Sequence, residues 1–364
     1  FVHEGVATCI GDSMCEAACP VSIDTGRLMK ELRATLHGRA GQRLAAALAR
    51  RFAWLAAAAR AGLGAARLAR GVPGGRRLLD AVTGIGHRLA PDLVPRLRPS
   101  LELPAPAPRL PRPTAAPGRR VVYFPSCLSR VLGPEPGAIQ TARAVVESLA
   151  AAGLGVAYPE GLAGLCCGMP FASKAYPEAA RVAAERTAEA LWRASHEGRD
   201  AVVTDASPCA SFLQEQAVAA LARSGRSLRV LDFPAYWARE VLPTLTSPPR
   251  LARRAVLHPT CTLARSGGVG ELLAVARAHC AEAIVPAGAE CCGFGGDRGF
   301  LVPEVTAAAT ALEAGEVRSL LEAPDARLYS TCRTCELGLT RAVGRSCLSL
   351  PHLVHEAMLA PPSS

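Results

Sequence analysis

The chain of 364 residues contains fourteen cysteines, and spacing sorts most of them into three groups. The first is Cys9, Cys15 and Cys19, with Pro20 directly after the last. The second is Cys127, the vicinal pair Cys166 and Cys167 followed by Gly168, and Cys209. The third is Cys261, the vicinal pair Cys291 and Cys292 followed by Gly293, and the CxxC pair Cys332 and Cys335. Thiols in such number are disulfides, metal ligands or redox groups. Neighbouring Cα atoms lie about 3.8 Å apart, inside the lower limit of roughly 4.4 Å for a disulfide, so the vicinal pairs are poor bridges. No basic and apolar leader opens the sequence FVHEGVATC, so a reducing, cytoplasmic setting is expected. Metal binding is then the expected role of the thiols.

Each group implies its own chemistry. The run Cys9-x5-Cys15-x3-Cys19-Pro20 follows the ferredoxin pattern C-x2-C-x2-C-x3-C-P at every place except the second, where Asp12 stands. A carboxylate is a harder ligand than a thiolate. The site would therefore hold a [4Fe-4S] cluster through Asp12, or a [3Fe-4S] cluster on Cys9 and Cys15 with one corner unfilled. In two-cluster ferredoxins the last Cys serves the other cluster. Cys19 would then ligate a centre whose remaining ligands are absent from this chain, and Phe1 is expected to be a truncation point.

The third group offers five thiolates, more than the four of a structural zinc site, which favours an iron–sulfur cluster over zinc. A thioredoxin-like dithiol at Cys332 and Cys335 would leave Cys261 and the vicinal pair without a role. Gly293, lacking a Cβ, is expected to let the backbone approach a bulky cluster. The second group has Ala206 where the third has Cys332, and its four thiolates suit tetrahedral zinc or a cubane cluster equally. It is expected to be the more structural of the two. Cys280, in an expected helix, and Cys347, at a strand edge, read as buried apolar thiols. His258 corresponds to Phe124 in the other copy and reads as a packing residue. Asp297 and Arg298 would hydrogen-bond cluster sulfurs, pair with each other, or stand as solvated loop charges.

The elements that must position these groups follow from the pattern around them. Residues 1–35 read as a partial ferredoxin-type segment, 36–95 as a helical connector rich in Ala, Leu and Arg, and 96–118 as a Pro-rich linker or surface strap. Beyond it, short β-branched runs alternate with helical segments, the mark of α/β units with a largely parallel sheet. The expected strands are VVYF at 121, GVAY at 155, AVVTD at 201 and LRVLD at 228, and the series restarts with AVLHP at 255, AIVP at 283, ARLYS at 326 and LSLP at 348. The chemistry repeats with it: FPSCLSR matches HPTCTLAR, GLCCGMPF matches AECCGFGG, and DASPCASFL matches STCRTCELGL. Repeats of this length indicate two copies of a domain, at 119–248 and 249–358. Ligands would gather outside the carboxyl ends of the parallel strands.

Composition narrows the functional classes. The net charge is +10, but residues 27–120 hold 19 Lys or Arg against four acids while the cysteine-bearing remainder is near neutral, and only Lys30 and Lys174 are lysines. Aromatics make up 4%, too few for a base-stacking platform, which argues against nucleic-acid binding. No stretch has the length and apolarity of a membrane span. Peripheral contact of the basic helices with a membrane surface or an acidic partner stays open, as does a zinc-stabilised interaction module.

The phrases HEGVATCIGDSMCEAACPVSIDTG, GLAGLCCGMPFASK, HPTC, CCGFGGDRGF and STCRTCELGL resemble the CCG-domain family. That family includes heterodisulfide reductase, the iron–sulfur subunits of glycolate oxidase and glycerol-3-phosphate dehydrogenase, and bacterial D-lactate dehydrogenases. The arrangement is most similar to the C-terminal half of the large dehydrogenases that carry FAD and iron–sulfur clusters. The resemblance implies a D-2-hydroxyacid oxidised at an FAD domain or subunit upstream, with electrons relayed through this region to a quinone, a cytochrome or another carrier. It also implies a non-cubane [4Fe-4S] cluster on Cys261, Cys291, Cys292, Cys332 and Cys335. A disulfide reductase subunit is the alternative that the same resemblance supports.

Overall fold

A computed structural model describes residues 2–89, 94–97 and 102–360. Phe1, the end of the expected connector at 90–93 and the start of the Pro-rich stretch at 98–101 lie outside the described residues.

Two four-stranded sheets carry the fold. The first contains β1 (Arg120–Phe124), β2 (Gly155–Ala157), β3 (Val202–Thr204) and β4 (Val230–Asp232), in the order β2-β1-β3-β4. The second contains β5 (Leu251–Leu257), β6 (Cys280–Ile284), β7 (Arg327–Ser330) and β8 (Cys347–Ser349), in the order β6-β5-β7-β8. Every pairing is parallel. Strands covered by helices on both faces need apolar runs rather than alternation, and Val121 to Phe124 and Ala255 to Leu257 are accordingly buried throughout. The tandem α/β reading therefore holds. One assignment is corrected: Cys280 opens β6, because the preceding helix ends at His279, one residue earlier than the helical reading required.

The two repeats share a core. Val121, Tyr123, Val145 and Leu149 of the first meet Leu257, Leu272, Tyr329 and Leu353 of the second, with Phe233 and Trp237 in the same cluster. Each such side chain contributes about 1.5–3 kcal/mol when fully buried. The helices Thr141–Ala151 and Leu350–Met358 pack against each other in this seam.

The segments before β1 cover the repeats. Helix Arg39–Arg50 lies on helix Pro177–Ala194, where Ala45, Ala46 and Ala49 face Ala179, Ala180 and Ala183 and small side chains permit close approach. His37 stacks on Tyr176 at 4.2 Å, and Arg186 donates to the carbonyl of Arg50 at 2.6 Å. The Pro-rich stretch is a strap: Thr114 and Val156 exchange backbone hydrogen bonds of 3.0 and 2.9 Å along the outer edge of β2. An edge covered this way has fewer free groups for pairing with another chain.

Candidate metal centres

In each sheet the chain leaves the inner strand β1 or β5 for one neighbour and returns on the other side at β3 or β7. This creates the crevice at the strand carboxyl ends where α/β proteins place ligands. Cys127 opens a short helix just after β1, and Cys209 lies in helix Ser207–Phe212 just after β3. Cys261 opens the helix after β5, while Cys332 caps the helix after β7 and Cys335 lies in its first turn. The loops after β2 and β6 bring in the vicinal pairs. Asp205, at the end of β3, accepts hydrogen bonds from Ser126 N at 2.8 Å and Tyr123 OH at 2.9 Å, which ties the Cys127 loop to the Cys209 loop.

The five thiols of the second repeat form a continuous cluster. Cys261 meets Cys291, Cys291 meets Cys292, Cys292 Sγ lies 3.0 Å from Cys335 Sγ, and Cys335 meets Cys332. The first repeat has a shorter chain of the same kind, Cys127 to Cys166, Cys166 to Cys167, and Cys167 Sγ to Cys209 Sγ at 3.2 Å. These sulfurs touch without bonding, since a disulfide is about 2.05 Å long.

Crowding sets the electrostatics. Hydrogen bonding to Cys166 and burial push the Cys127 thiol well up, and contacts with Cys292 and Cys332 do the same to Cys335. Cys261 is raised by its contact with Cys291, then by burial, with Asp12 adding to the effect. Hydrogen bonds from the neighbouring thiols lower Cys292 to about 6, and contact with Cys335 lowers Cys332 to about 7. Without a cation, only a minority of the sulfurs can therefore be thiolates at neutral pH. A bound metal removes that conflict, because coordination deprotonates thiols.

The glycines that follow the vicinal pairs also answer to the protein packed behind them. Gly168 and Gly293 have φ of 102° and 63°, in the left-handed region. A Cβ on Gly293 would lie 2.8 Å from the Val305 carbonyl and 2.7 Å from Ala309 Cβ, and one on Gly168 would lie 2.5 Å from the Ala180 carbonyl. Both glycines are required by the turn and by the helix behind the loop, so the space they leave is filled by protein.

Asp12 faces thiols of the second repeat. Its carboxylate, Cys261 Sγ and Cys291 Sγ are mutually within 4.8 Å, so the N-terminal segment reaches into the second repeat. Arg265 donates to the Asp12 carbonyl at 3.3 Å and Arg298 to that of Ala7 at 2.7 Å, while a Cβ on Gly295 would meet Ile10 at 2.7 Å. Asp297 pairs with Lys174 of the first repeat at 2.5 Å. The two loop charges thus tie the Cys-Cys-Gly loop to its surroundings. Cys9 is half-buried after the opening helical turn, Cys15 is exposed and accepts from Thr25 Oγ1 at 3.0 Å, and Cys19 ends the short helix Met14–Ala18. None of the three belongs to a group of three or more donors mutually within 4.8 Å among the described residues.

Several participants had no sequence signal. Arg333, between Cys332 and Cys335, pairs with Glu336 at 3.1 Å and with Glu135 of the first repeat at 3.0 Å, all buried or nearly so. A hydroxyl row joins the two sites: Ser207 Oγ donates to Thr331 Oγ1 at 2.9 Å, and Thr331 Oγ1 to Thr260 Oγ1 at 3.5 Å. Ala45, Ala49 and Phe52 of the connector pack in one cluster with Cys127 and Cys166. Asp205, directly before DASPC's Ala206, could have been suspected as an acid at a buried strand end.

Two parallel sheets with cysteines converging at the carboxyl edge of each define a tandem cysteine-rich-domain protein. The CCG cysteine-rich domain family matches residues 121–214 and 255–340, one span in each repeat. The chain is 30% identical over 193 residues to lactate utilization protein A 2 of Bacillus cereus strain Q1, covering 49% of this chain and 72% of that protein. It is 28% identical over the same length to lactate utilization protein A 1 of Bacillus anthracis strain CDC 684 / NRRL 3495. The chain belongs to the family of the lactate utilization A proteins and carries two CCG cysteine-rich domains.

Proposed function

We propose that this chain is an iron–sulfur electron-transfer component of a lactate-oxidising system, receiving electrons from a flavin domain or subunit and passing them to a quinone, a cytochrome or another carrier. The observation that carries the reading is the cluster of five thiols at one sheet edge, beside a second four-thiol site. Similarity to the lactate utilization A proteins supports lactate as the substrate of the larger system. The D configuration and FAD follow from the resemblance noted above.

Cys261, Cys291, Cys292, Cys332 and Cys335 would hold a [4Fe-4S] centre in the second repeat, of the non-cubane type by the same resemblance. Cys127, Cys166, Cys167 and Cys209 would hold a cubane cluster or zinc. Bound iron–sulfur clusters supply one-electron chemistry at potentials tuned by hydrogen bonds and burial. This chain's residues bury seven of the nine cysteines and leave Cys261 and Cys291 half-buried. Phe52 and Ala49 cover the first site, while Leu132 and Leu128 of the first repeat pack beside Cys292 and Cys332 of the second. The Ser207–Thr331–Thr260 row gives the two sites a short, ordered, buried connection. No helix among the described residues is long and apolar enough to cross a membrane.

Asp12 is proposed to serve the second-repeat centre rather than a ferredoxin cluster, and Cys9, Cys15 and Cys19 to complete a centre with residues from another part of the system. The test is anaerobic purification followed by iron, acid-labile sulfide and zinc analysis. Brown protein with at least four irons and four sulfides, bleached by a reduced flavoprotein partner, is expected. Colourless protein holding only zinc would sink the electron-transfer reading.

A further inference from the structure

The described residues include three fully or nearly fully buried histidines, and two have both ring nitrogens satisfied. His279 takes the Trp237 indole N–H at 2.9 Å and bonds the Pro249 carbonyl at 2.9 Å. His352 bonds the carbonyls of Ser349 and Ile139 at 3.0 and 2.9 Å. His258 differs. Its Nδ1 faces both carboxylate oxygens of Glu313 at 2.7 and 2.9 Å, with both side chains essentially inaccessible, and its Nε2 is buried with no hydrogen-bond partner. A buried polar atom left unsatisfied forfeits its hydration with no return, so it calls for an explanation. A ring nitrogen of His258 lies with Cys292 Sγ and Cys335 Sγ in one group mutually within 4.8 Å.

We infer that His258 is a nitrogen ligand of the second-repeat metal centre, oriented by Glu313. A carboxylate can only accept, so it places the imidazole proton on Nδ1 and leaves the Nε2 lone pair for a metal. This is the carboxylate–histidine–metal arrangement, in which the outer carboxylate fixes the tautomer and ring angle. The backbone holds the ring in place, since His258 N donates to the Tyr329 carbonyl at 2.8 Å and Ser330 Oγ to the His258 carbonyl at 3.1 Å. Glu313 sits in the first turn of helix Ala311–Leu320, where a carboxylate is favoured.

The first repeat supplies an internal comparison. Phe124 stands where His258 does, and the positions matching Glu313 by the offsets of the flanking cysteines are Thr187 and Ala188. Thr187 there bonds the backbone of Cys166. The repeat that lacks the fifth cysteine also lacks both the imidazole and the carboxylate. The pair therefore accompanies the fuller metal site and is not a general requirement of the fold.

The inference rests on reading the second repeat as a metal centre, and the test separates the two. The full chain and its His258→Asn and Glu313→Gln variants are purified anaerobically and examined by X-ray absorption at the iron edge, and at the zinc edge if zinc is found. The expected wild-type spectrum carries imidazole multiple-scattering features that His258→Asn removes while total iron stays within one atom per chain. Glu313→Gln is expected to keep the imidazole signal and to release metal to a chelator about 10–100-fold more readily, the usual effect of losing such a partner. Iron-loaded protein whose spectrum is the same with and without His258 overturns the ligand assignment and leaves the electron-transfer reading standing. Zinc-loaded protein that loses its imidazole signal does the reverse. Protein that takes up neither metal on reconstitution overturns both. If His258→Asn proves insoluble, 15N-histidine labelling with pulsed EPR of the reduced wild type gives the same answer, and absence of a coupled histidine nitrogen counts against the ligand.

Discussion

Substituting Gly293 by Ala adds one methyl group at a point where the backbone and the packing both refuse it. The residue has φ of 63°, and a left-handed non-Gly residue costs about 1–2 kcal/mol. The new Cβ would also stand 2.7 Å from Ala309 Cβ, 2.8 Å from the Val305 carbonyl and 3.0 Å from Thr306 Cα. None of these is the free end of a flexible chain. Overpacking of that kind costs about 1–3 kcal/mol, so the two effects together come to about 2–5 kcal/mol. Relief requires the loop to move away from helix Pro303–Ala309, which would break the 3.1 Å bond from Thr306 Oγ1 to the Gly293 carbonyl. That movement carries Cys291 and Cys292 with it. Denaturant unfolding is expected to show the loss in stability, and metal analysis a selective loss at the second repeat. Gly315→Ala is the control: it lies in helix Ala311–Leu320, nothing stands within 4 Å of its added Cβ, and it should stabilise by about 0.8–1 kcal/mol. A Gly293→Ala protein with wild-type stability and full metal content would refute the steric reasoning.

Metal-free protein should be most stable near pH 9. Cys292 and Cys332, held near 6 and 7 against a usual 9.0, make stability rise with pH from about 6, because the unfolded chain binds more protons there. Thiols raised in the fold, such as Cys127 and Cys335, reverse the slope above 9, where only the unfolded chain releases their protons. Each contributes up to about 1.4 kcal/mol per pH unit, and a thermal melt series that is flat from pH 6 to 10 would contradict this. Arg333→Met leaves Glu336, its titration already raised to about 7 by burial, without its cation, and a loss of about 3–5 kcal/mol by urea unfolding is expected. Cys335→Ser should lower metal content at the second repeat, while Cys347→Ala, outside both clusters in a buried strand, should leave metal content unchanged. Equal loss in the two variants would show that the cysteine grouping is wrong.

Much of the architecture could be read from short-range pattern. Apolar runs separated by helical segments determined two parallel sheets, and the recurrence of C, CCG and C or CxxC at matching places determined that both sheets gather thiols. A strand carboxyl end followed at once by Cys127, Cys209, Cys261 or Cys332 is enough to place those thiols on one edge, because parallel strands point the same way. The start of β6 at Cys280 escaped, since alternation in CAEAI is as compatible with a helix end as with an outer strand.

What only the tertiary structure decided are contacts between segments with no periodicity to relate them. Asp12 and Cys261 are nearly 250 positions apart, and the ferredoxin pattern assigned the carboxylate to its sequence neighbours. The fold also brings it beside Cys261 and Cys291, with Arg265 bonding the Asp12 carbonyl and Arg298 that of Ala7. His258 read as packing because Phe124 stands at the matching place in the first repeat. Its significance depends on Glu313 arriving from a helix 55 positions later and on an Nε2 that finds no partner. Gly293 was legible as a required glycine, but the reason lies in the helix behind it. Residue types and spacing therefore determined that the thiols gather, whereas through-space packing decided which other donors stand among them.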